Sequence, residues 1–279
     1  MCNTSDTLPY FTAGSHVFEQ CARCGLVFVA NFAHEGISYK GDEYFVHKNE
    51  YVQRWDEFCS LFEQLIAKIM RFKRNGNFLD VGAGVGTLMH VARTQGFTTH
   101  GVEVSEWASA YARDERGLNM VTGTLEDAAY PDAYFDVIVI NHVLEHVTAP
   151  LKLLCEAHRI LKDDGMLVVG VPNIGSIMAR IMRERWLSLR PEEHLWHFAP
   201  YTLRLLLDRA DFRELWFESR DNYSVQGWGP KEIVQRIINR VSVLADRSEA
   251  MLLFSQKRPS TESQECCVPE TDGLTRGNR

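Results

Sequence analysis

The stretch Phe78-Leu-Asp-Val-Gly-Ala-Gly-Val-Gly86 constrains this chain more than any other, because it makes an apolar strand turn abruptly into a helix. Asn77–Val81 is a short buried strand, and a helical pattern starts at Thr87 and runs to Gln95, where Gly96 ends it. Between them, glycines at 82, 84 and 86 let the backbone turn sharply and let a ligand approach where a Cβ would intrude. Dinucleotide sites use a similar loop. Here, however, the third glycine follows the second by two residues, where the dinucleotide fingerprint spaces them by three. Asp80 stands just before the loop, where a carboxylate repels a pyrophosphate and favours a ligand carrying an ammonium. Glu103 closes the next strand, seventeen residues after Gly86, where an acid accepts both ribose hydroxyls.

S-adenosylmethionine (SAM) has those features. Its ribose suits Glu103, its ammonium suits the region near Asp80, and its carboxylate suits backbone N–H groups at a helix start. The competing reading is an NAD-dependent oxidoreductase, which the glycine spacing and Asp80 disfavour.

The rest of the chain alternates in the same rhythm. Tyr51, Trp55, Phe58, Phe62, Leu65, Ile66 and Ile69 share one helical face before the first strand. After the loop come a strand at Thr98–Val104, a helix capped by Ser105, a strand at Leu118–Thr122 and the unbroken apolar strand Phe135–Ile140. Pro150–Lys162 reads as a helix, Asp163-Asp164-Gly165 as its turn and Met166–Val171 as a fifth strand. Arg213–Ser219 and Ala250–Lys257 supply two late strands, with helical patterns at Thr202–Ala210 and 230–246. The pattern predicts an α/β, Rossmann-like fold: a mostly parallel seven-stranded sheet with an antiparallel edge strand and a small N-terminal extension. Residues 1–48 form that extension, 49–258 the main domain with an insertion or lid at 174–198, and 259–279 a polar tail read as disordered.

The formal net charge of −7 argues against a general grip on nucleic acid. No apolar run is long enough to cross a bilayer, and Met1–Tyr10 lacks an apolar signal core, so the expected location is the cytoplasm. Seven cysteines do not form a disulfide framework in a chain of this length. Cys59 and Cys155 fall within apolar helical patterns and read as buried thiols.

The stretches LDVGAGVGTL, GVEVS, GTLEDAAYPDAYFDVIVINHVLEHV, LLCEAHRILKDDGMLVVGVPN and HLWHFAPYTLRLLLDRADF together resemble the class I SAM-dependent methyltransferases, particularly the group that includes the ubiquinone-biosynthesis O-methyltransferases. The resemblance implies that Asp80, Gly82, Gly84 and Gly86 line the methionyl end of SAM and that Glu103 and Val104 hold the ribose. It places Thr124, Leu125 and Glu126 around the adenine, and Asn141 and His142 beside the sulfonium. Many relatives carry Asp where this chain has Thr124, which accepts a hydrogen bond without a charge.

For the reaction, the run Asn141-His-Val-Leu-Glu-His146 follows the fourth strand, at the sheet edge where open α/β folds bind ligands. If it starts a helix, His142, Glu145 and His146 share a face at i, i+3 and i+4. A second cluster, Glu192-Glu-His-Leu-Trp-His197, follows the insertion. Two readings stand. One of His142, His194 and His197 is a general base for a hydroxyl acceptor, or His142, Glu145 and His146 with His194 or His197 bind a divalent metal that holds the acceptor. The expected partner is a small-molecule methyl acceptor. A SAM-binding protein acting without catalysis is the alternative of a different class.

Cys21-Ala-Arg-Cys24-Gly-Leu resembles the second half of a zinc ribbon found before many bacterial methyltransferase domains. Only Cys2 stands upstream, and tetrahedral structural zinc takes four ligands. Cys2, Cys21 and Cys24 are therefore the candidate zinc ligands, with His16 as a substitute fourth.

Overall fold

The structure is a computed structural model and describes residues 5–32, 52–220, 238–243 and 245–258. Three antiparallel strands come first: β1 (Thr7–Ala13), β2 (His16–Cys21) and β3 (Val27–Val29). The main domain follows with α1 (Trp55–Ile69), β4 (Gly76–Val81), α2 (Thr87–Thr94), β5 (Phe97–Glu103), α3 (Glu106–Asp114), β6 (Met120–Thr122), β7 (Phe135–Asn141), α4 (Pro150–Ile160) and β8 (Leu161–Pro172). The insertion contains α5 (Ile177–Met182), a single 3₁₀ turn (Arg183–Arg185) and β9 (Trp196–His197). The last elements are α6 (Pro200–Arg209), β10 (Phe212–Arg220) and β11 (Ala250–Lys257).

The main sheet has seven strands in the order β10-β11-β8-β7-β4-β5-β6. From β8 to β6 every pairing is parallel. β11 is antiparallel to both neighbours and sits one place in from the edge, so the edge strand β10 runs with the parallel set. Successive side chains of the central strands point to opposite faces, and both faces are apolar. Phe78, Val137, Val139, Met166 and Val168 pack with Leu65, Ile66 and Ile69 of α1 and Leu88 and Val91 of α2. Leu79, Val81, Ile138, Ile140, Leu167 and Val169 pack with Leu153, Leu154 and Ala157 of α4 and Leu203 and Leu206 of α6.

Two features differ most from the sequence pattern. The helix beginning at Pro150 ends at Ile160, and Leu161 already pairs with Phe135. The Lys162–Gly165 stretch is thus absorbed into β8 as an irregularity in register rather than standing as a separate turn. The second difference concerns the extension and the insertion, which together make one small layer. Val27 and Phe28 of β3 pair with His197 and Trp196 of β9, giving a second sheet of order β1-β2-β3-β9. Phe18, Val27 and Val29 from the extension share a core with Ile174, Met178, Trp186 and Leu189 from the insertion.

Among the described residues no helix is long and apolar enough to cross a membrane. The 259–279 tail and residues 230–237 lie outside the described residues, as do Tyr51, Cys2, Cys266 and Cys267.

Candidate functional site

The loop after β4 leaves backbone open on one side. Gly82 and Gly84 have φ of +71° and +55°, a region L side chains rarely adopt. A Cβ on Gly82 would sit 2.3 Å from Val143 Cγ2, so that glycine also lets the 142–147 turn close over the loop. A Cβ on Gly84 would meet nothing within 4 Å. Its open side is where another molecule can reach the backbone. Gly86 then serves as the residue before α2.

Asp80 and Glu103 end β4 and β5, which pair in parallel, and both carboxyls are buried. Burial pushes the Asp80 carboxyl well above its ordinary value, and the neighbouring Glu103 pushes it further. Among the described residues no basic side chain offsets either effect. Burial also raises Glu103, against hydrogen bonds from backbone N–H groups. Gly84 N–H donates to Glu103 Oε2 at 2.8 Å and Ser105 N–H to Oε1 at 2.9 Å. Each oxygen keeps a lone pair for a further donor. Two buried acids without a cation fit a ligand that brings an ammonium and a pair of hydroxyls. The donor set therefore fits SAM. Val104 follows Glu103 and is half-buried.

Beyond β6, Thr124 Oγ1 and its N–H both donate to Asp127 Oδ2 at 2.8 Å. The hydroxyl expected to face the adenine is thus spent on Asp127, which puts a carboxylate beside the position where many relatives carry one. The Leu125 side chain lies in the main core, leaving its backbone for the site, and Glu126 pairs with Lys152 at 3.6 Å. The role of Asp127 was missed, although its place three residues after a Thr is a recognisable turn signal.

The run after β7 is not a helix start, since the next helix begins only at Pro150. It is a turn, held by Leu144 in the core and by His142 N–H donating to the Gly170 carbonyl at 2.8 Å. His142 sits at φ +57°, uncommon for a residue with a side chain. The turn still brings His142 Nδ1 to 3.1 Å from Glu145 Oε1. The Asn141 side chain accepts from Arg220 Nη2 at 3.4 Å, over the bare backbone of Gly170.

His146, His194 and His197 are all buried. His146 Nδ1 lies 3.0 Å from the Glu193 carbonyl, His194 Nδ1 2.8 Å from that of Ser188, and His197 Nε2 2.9 Å from that of Leu189. Burial drives His194 down to about 3 and His197 to about 4. His197 packs against Phe18 of the N-terminal layer, with ring centroids 5.2 Å apart. Of the three candidate bases, His142 alone is substantially exposed, at 34%. Burial works against ionisation of Glu145, but the His142 hydrogen bond and the imidazoles of His142, His146 and His194 bring its carboxyl down to about 2.

Cys21 and Cys24 share a tight turn closed by Gly25 N–H donating to the Cys21 carbonyl at 2.9 Å. His16 opens β2 and Cys21 closes it, five residues on, which separates them by about 17 Å of extended chain. His16 therefore cannot complete a zinc site with them. Among the described residues no group of three metal-ligating side chains includes these cysteines. Cys59 is a free, half-buried thiol, as its helical position suggests. Cys155 is half-buried and disulfide-bonded, not the free buried thiol expected.

Comparison with known proteins agrees with the fold. The sequence pattern of a methyltransferase domain matches residues 49–215. The chain is 34% identical over 115 residues to the ubiquinone biosynthesis O-methyltransferase of Actinobacillus pleuropneumoniae, covering 36% of this chain and 49% of that one. It is 26% identical over 159 residues to the ajmaline N-methyltransferase of Rauvolfia serpentina, covering 54% and 50%. The chain spans about half the length of these curated relatives. A SAM-dependent methyltransferase structure from Archaeoglobus fulgidus superposes with a TM-score of 0.57 at 22% identity, over 77% of this chain and 100% of that one.

Proposed function

The chain belongs to the class I SAM-dependent methyltransferase family, and on that premise we propose that it moves a methyl group from SAM to a hydroxyl of a small-molecule acceptor. The observation that carries this reading is the Asp80–Glu103 pair, buried beside an open glycine turn with no cation among the described residues to balance it. Asp80, Gly82, Gly84 and Gly86 hold the methionyl end, Glu103 and Val104 the ribose, and Thr124, Leu125 and Glu126 the adenine. Asn141 and His142 flank the sulfonium.

When bound, SAM would supply a methyl group on a cationic sulfur, open to attack by an acceptor oxygen with the C–S electron pair leaving on the sulfur. The protein has to position the two partners and remove the hydroxyl proton. His142 does the second. Its Nδ1–H donates to Glu145, which leaves the Nε2 lone pair for the acceptor's proton. Glu145, held ionised, fixes that tautomer and balances the imidazolium that forms. His194 and His197 are too buried and too weakly basic for this role.

Two measurements test the reading. Calorimetry with SAM, S-adenosylhomocysteine and NAD should give tight binding of the first two alone. Turnover of methyl-labelled SAM should then be screened over phenols, sugar hydroxyls and amines. His142→Ala should lower turnover of a hydroxyl acceptor about 100-fold with little change in SAM affinity. NAD binding in place of SAM refutes the cofactor. Amine acceptors alone, or full turnover in His142→Ala, refute the hydroxyl and its base.

A further inference from the structure

We propose that Arg220 binds a carboxylate of the methyl acceptor, which makes that acceptor a hydroxy acid. The proposal rests on the reading above, in which Asn141 flanks the sulfonium, and adds the charge of the molecule that arrives there.

Arg220 ends β10 at the same edge of the sheet as Asp80, Glu103 and Asn141. Its register partner is Ala250 on β11, which pairs in turn with Pro172 on β8. Asn141, on β7, is three strands away, and neighbouring strands lie about 4.8 Å apart. The guanidinium nevertheless brings Nη2 to 3.4 Å from Asn141 Oδ1. The side chain therefore lies across the end of the sheet and not out over its free edge. Gly170 makes room for this meeting. A Cβ there would sit 2.2 Å from Asn141 Oδ1 and 2.9 Å from Leu252 Cδ2.

The guanidinium is poorly satisfied where it lies. Its bond to Asn141 is long for an N–H donor and ends on a neutral amide. Its Nε is shut off from solvent and has no hydrogen-bond partner. Among the described residues no carboxylate forms an ion pair with it. Burial lowers its basicity, and Glu218, two residues earlier on the same face of β10, offsets this only in part. Glu218 is already engaged, with Oε1 2.5 Å from Lys68 Nζ of α1. Two cations thus share one carboxylate, and one positive charge is left over. A carboxylate matches that charge, whereas a phosphate monoester brings nearly two. The guanidinium also offers parallel N–H donors, which the two oxygens of a carboxylate accept as a pair.

Position decides whose carboxylate it is. Asp80 and Glu103 stand on β4 and β5, to one side of β7, and Arg220 comes from the other side, over β11 and β8. The carboxylate of SAM belongs at the start of α2, directly after β4. A molecule lying between Arg220 and the sulfonium is therefore the acceptor, with its hydroxyl toward His142 and its acid toward Arg220.

The test uses the full chain with labelled SAM and four hydroxy acids, salicylate, caffeate, glucuronate and lactate, each beside its uncharged methyl ester. At least one acid should be methylated with a kcat/KM about 50-fold above that of its ester, as a charge-assisted pair implies. Arg220→Met should cut this preference below about threefold, chiefly through KM, and should leave calorimetric affinity for S-adenosylhomocysteine within about threefold. Arg220→Lys, which keeps the charge without the fork, should retain about tenfold. The ligand-free Arg220→Met chain should melt no lower than the parent, because it loses a buried cation that lacks a bonded acid. Equal turnover of acids and esters overturns the proposal and leaves the hydroxyl reading standing. An acid preference that survives in Arg220→Met overturns it as well, and lost S-adenosylhomocysteine affinity in that variant would then assign the guanidinium to the cofactor. Turnover of amines alone overturns the hydroxyl reading and this inference with it. If Arg220→Met does not fold, Arg220→Lys and the acid-to-ester ratio of the parent decide.

Discussion

Asp80 and Glu145 are both buried carboxyls at the C-terminal edge of one sheet, on β4 and just beyond β7. Burial pushes both toward the neutral acid, yet they end on opposite sides of the ordinary value. Asp80 faces a second acid and is raised, while Glu145 faces three imidazoles and falls to about 2. Neighbours therefore decide what burial alone does not. The Glu145 region carries its own counter-groups and is electrostatically assembled without a ligand. The Asp80 region is assembled only when something cationic arrives. In the proposed reading one region positions chemistry and the other binds, and the opposite signs of the two carboxyl shifts fit that division.

Substitutions at the two carboxyls should move stability in opposite directions. Glu145→Ala removes the partner of His142 and the centre of a buried polar network, and should cost about 3 kcal/mol in urea denaturation of the ligand-free chain. Unchanged stability would mean that the imidazoles do not depend on the carboxylate. Asp80→Asn relieves the repulsion with Glu103 and should leave the ligand-free chain equally stable or about 1 kcal/mol more stable. The same change should weaken SAM binding by about 100-fold, because the ammonium loses its countercharge. Normal SAM binding by the Asp80→Asn variant would remove Asp80 from the site.

The raised carboxyls also set a pH dependence. Asp80 and Glu103 have folded values above their ordinary 3.8 and 4.5, so the fold favours their protonated forms. As pH rises from those ordinary values through the raised ones, the ligand-free chain loses stability from this pair. A bound ammonium favours ionised Asp80 and cancels part of the loss. The increase in melting temperature caused by saturating SAM should therefore grow with pH across that window. In Asp80→Asn the growth should be smaller, leaving only what Glu103 contributes. A stabilisation that shrinks with rising pH would contradict the shift.

The sequence made the proposed binding region legible because its signals are local. Three glycines, a preceding Asp and a Glu at the next strand end all lie within 24 residues, and the order of strands follows from apolar runs. The second region was less legible because it is assembled from distant segments. Nothing in residues 27–29 announces that they pair with 196–197, yet that pairing holds the loop carrying His194. The i, i+3 spacing of His142 and Glu145 suggested contact on a helix, and the contact forms instead in a turn that the left-handed His142 makes possible. Fold and cofactor loop are matters of periodicity and local turn chemistry. The polar cluster depends on tertiary contacts, which periodicity does not encode.

The smallest effect concerns a third carboxylate, Asp127, which is exposed where the other two are buried. It accepts from the N–H and hydroxyl of Thr124 and so shapes the loop expected to meet the adenine. Hydrogen bonds at an exposed site contribute about 1 kcal/mol each or less. Asp127→Ala should therefore weaken SAM binding by about fivefold and change melting of the ligand-free chain little. Asp127→Asn keeps an acceptor oxygen and should recover most of the loss if geometry is what matters. If Asn recovers nothing, the charge itself is being read by the ligand, and Asp127 joins Asp80 as an electrostatic partner rather than a support for Thr124.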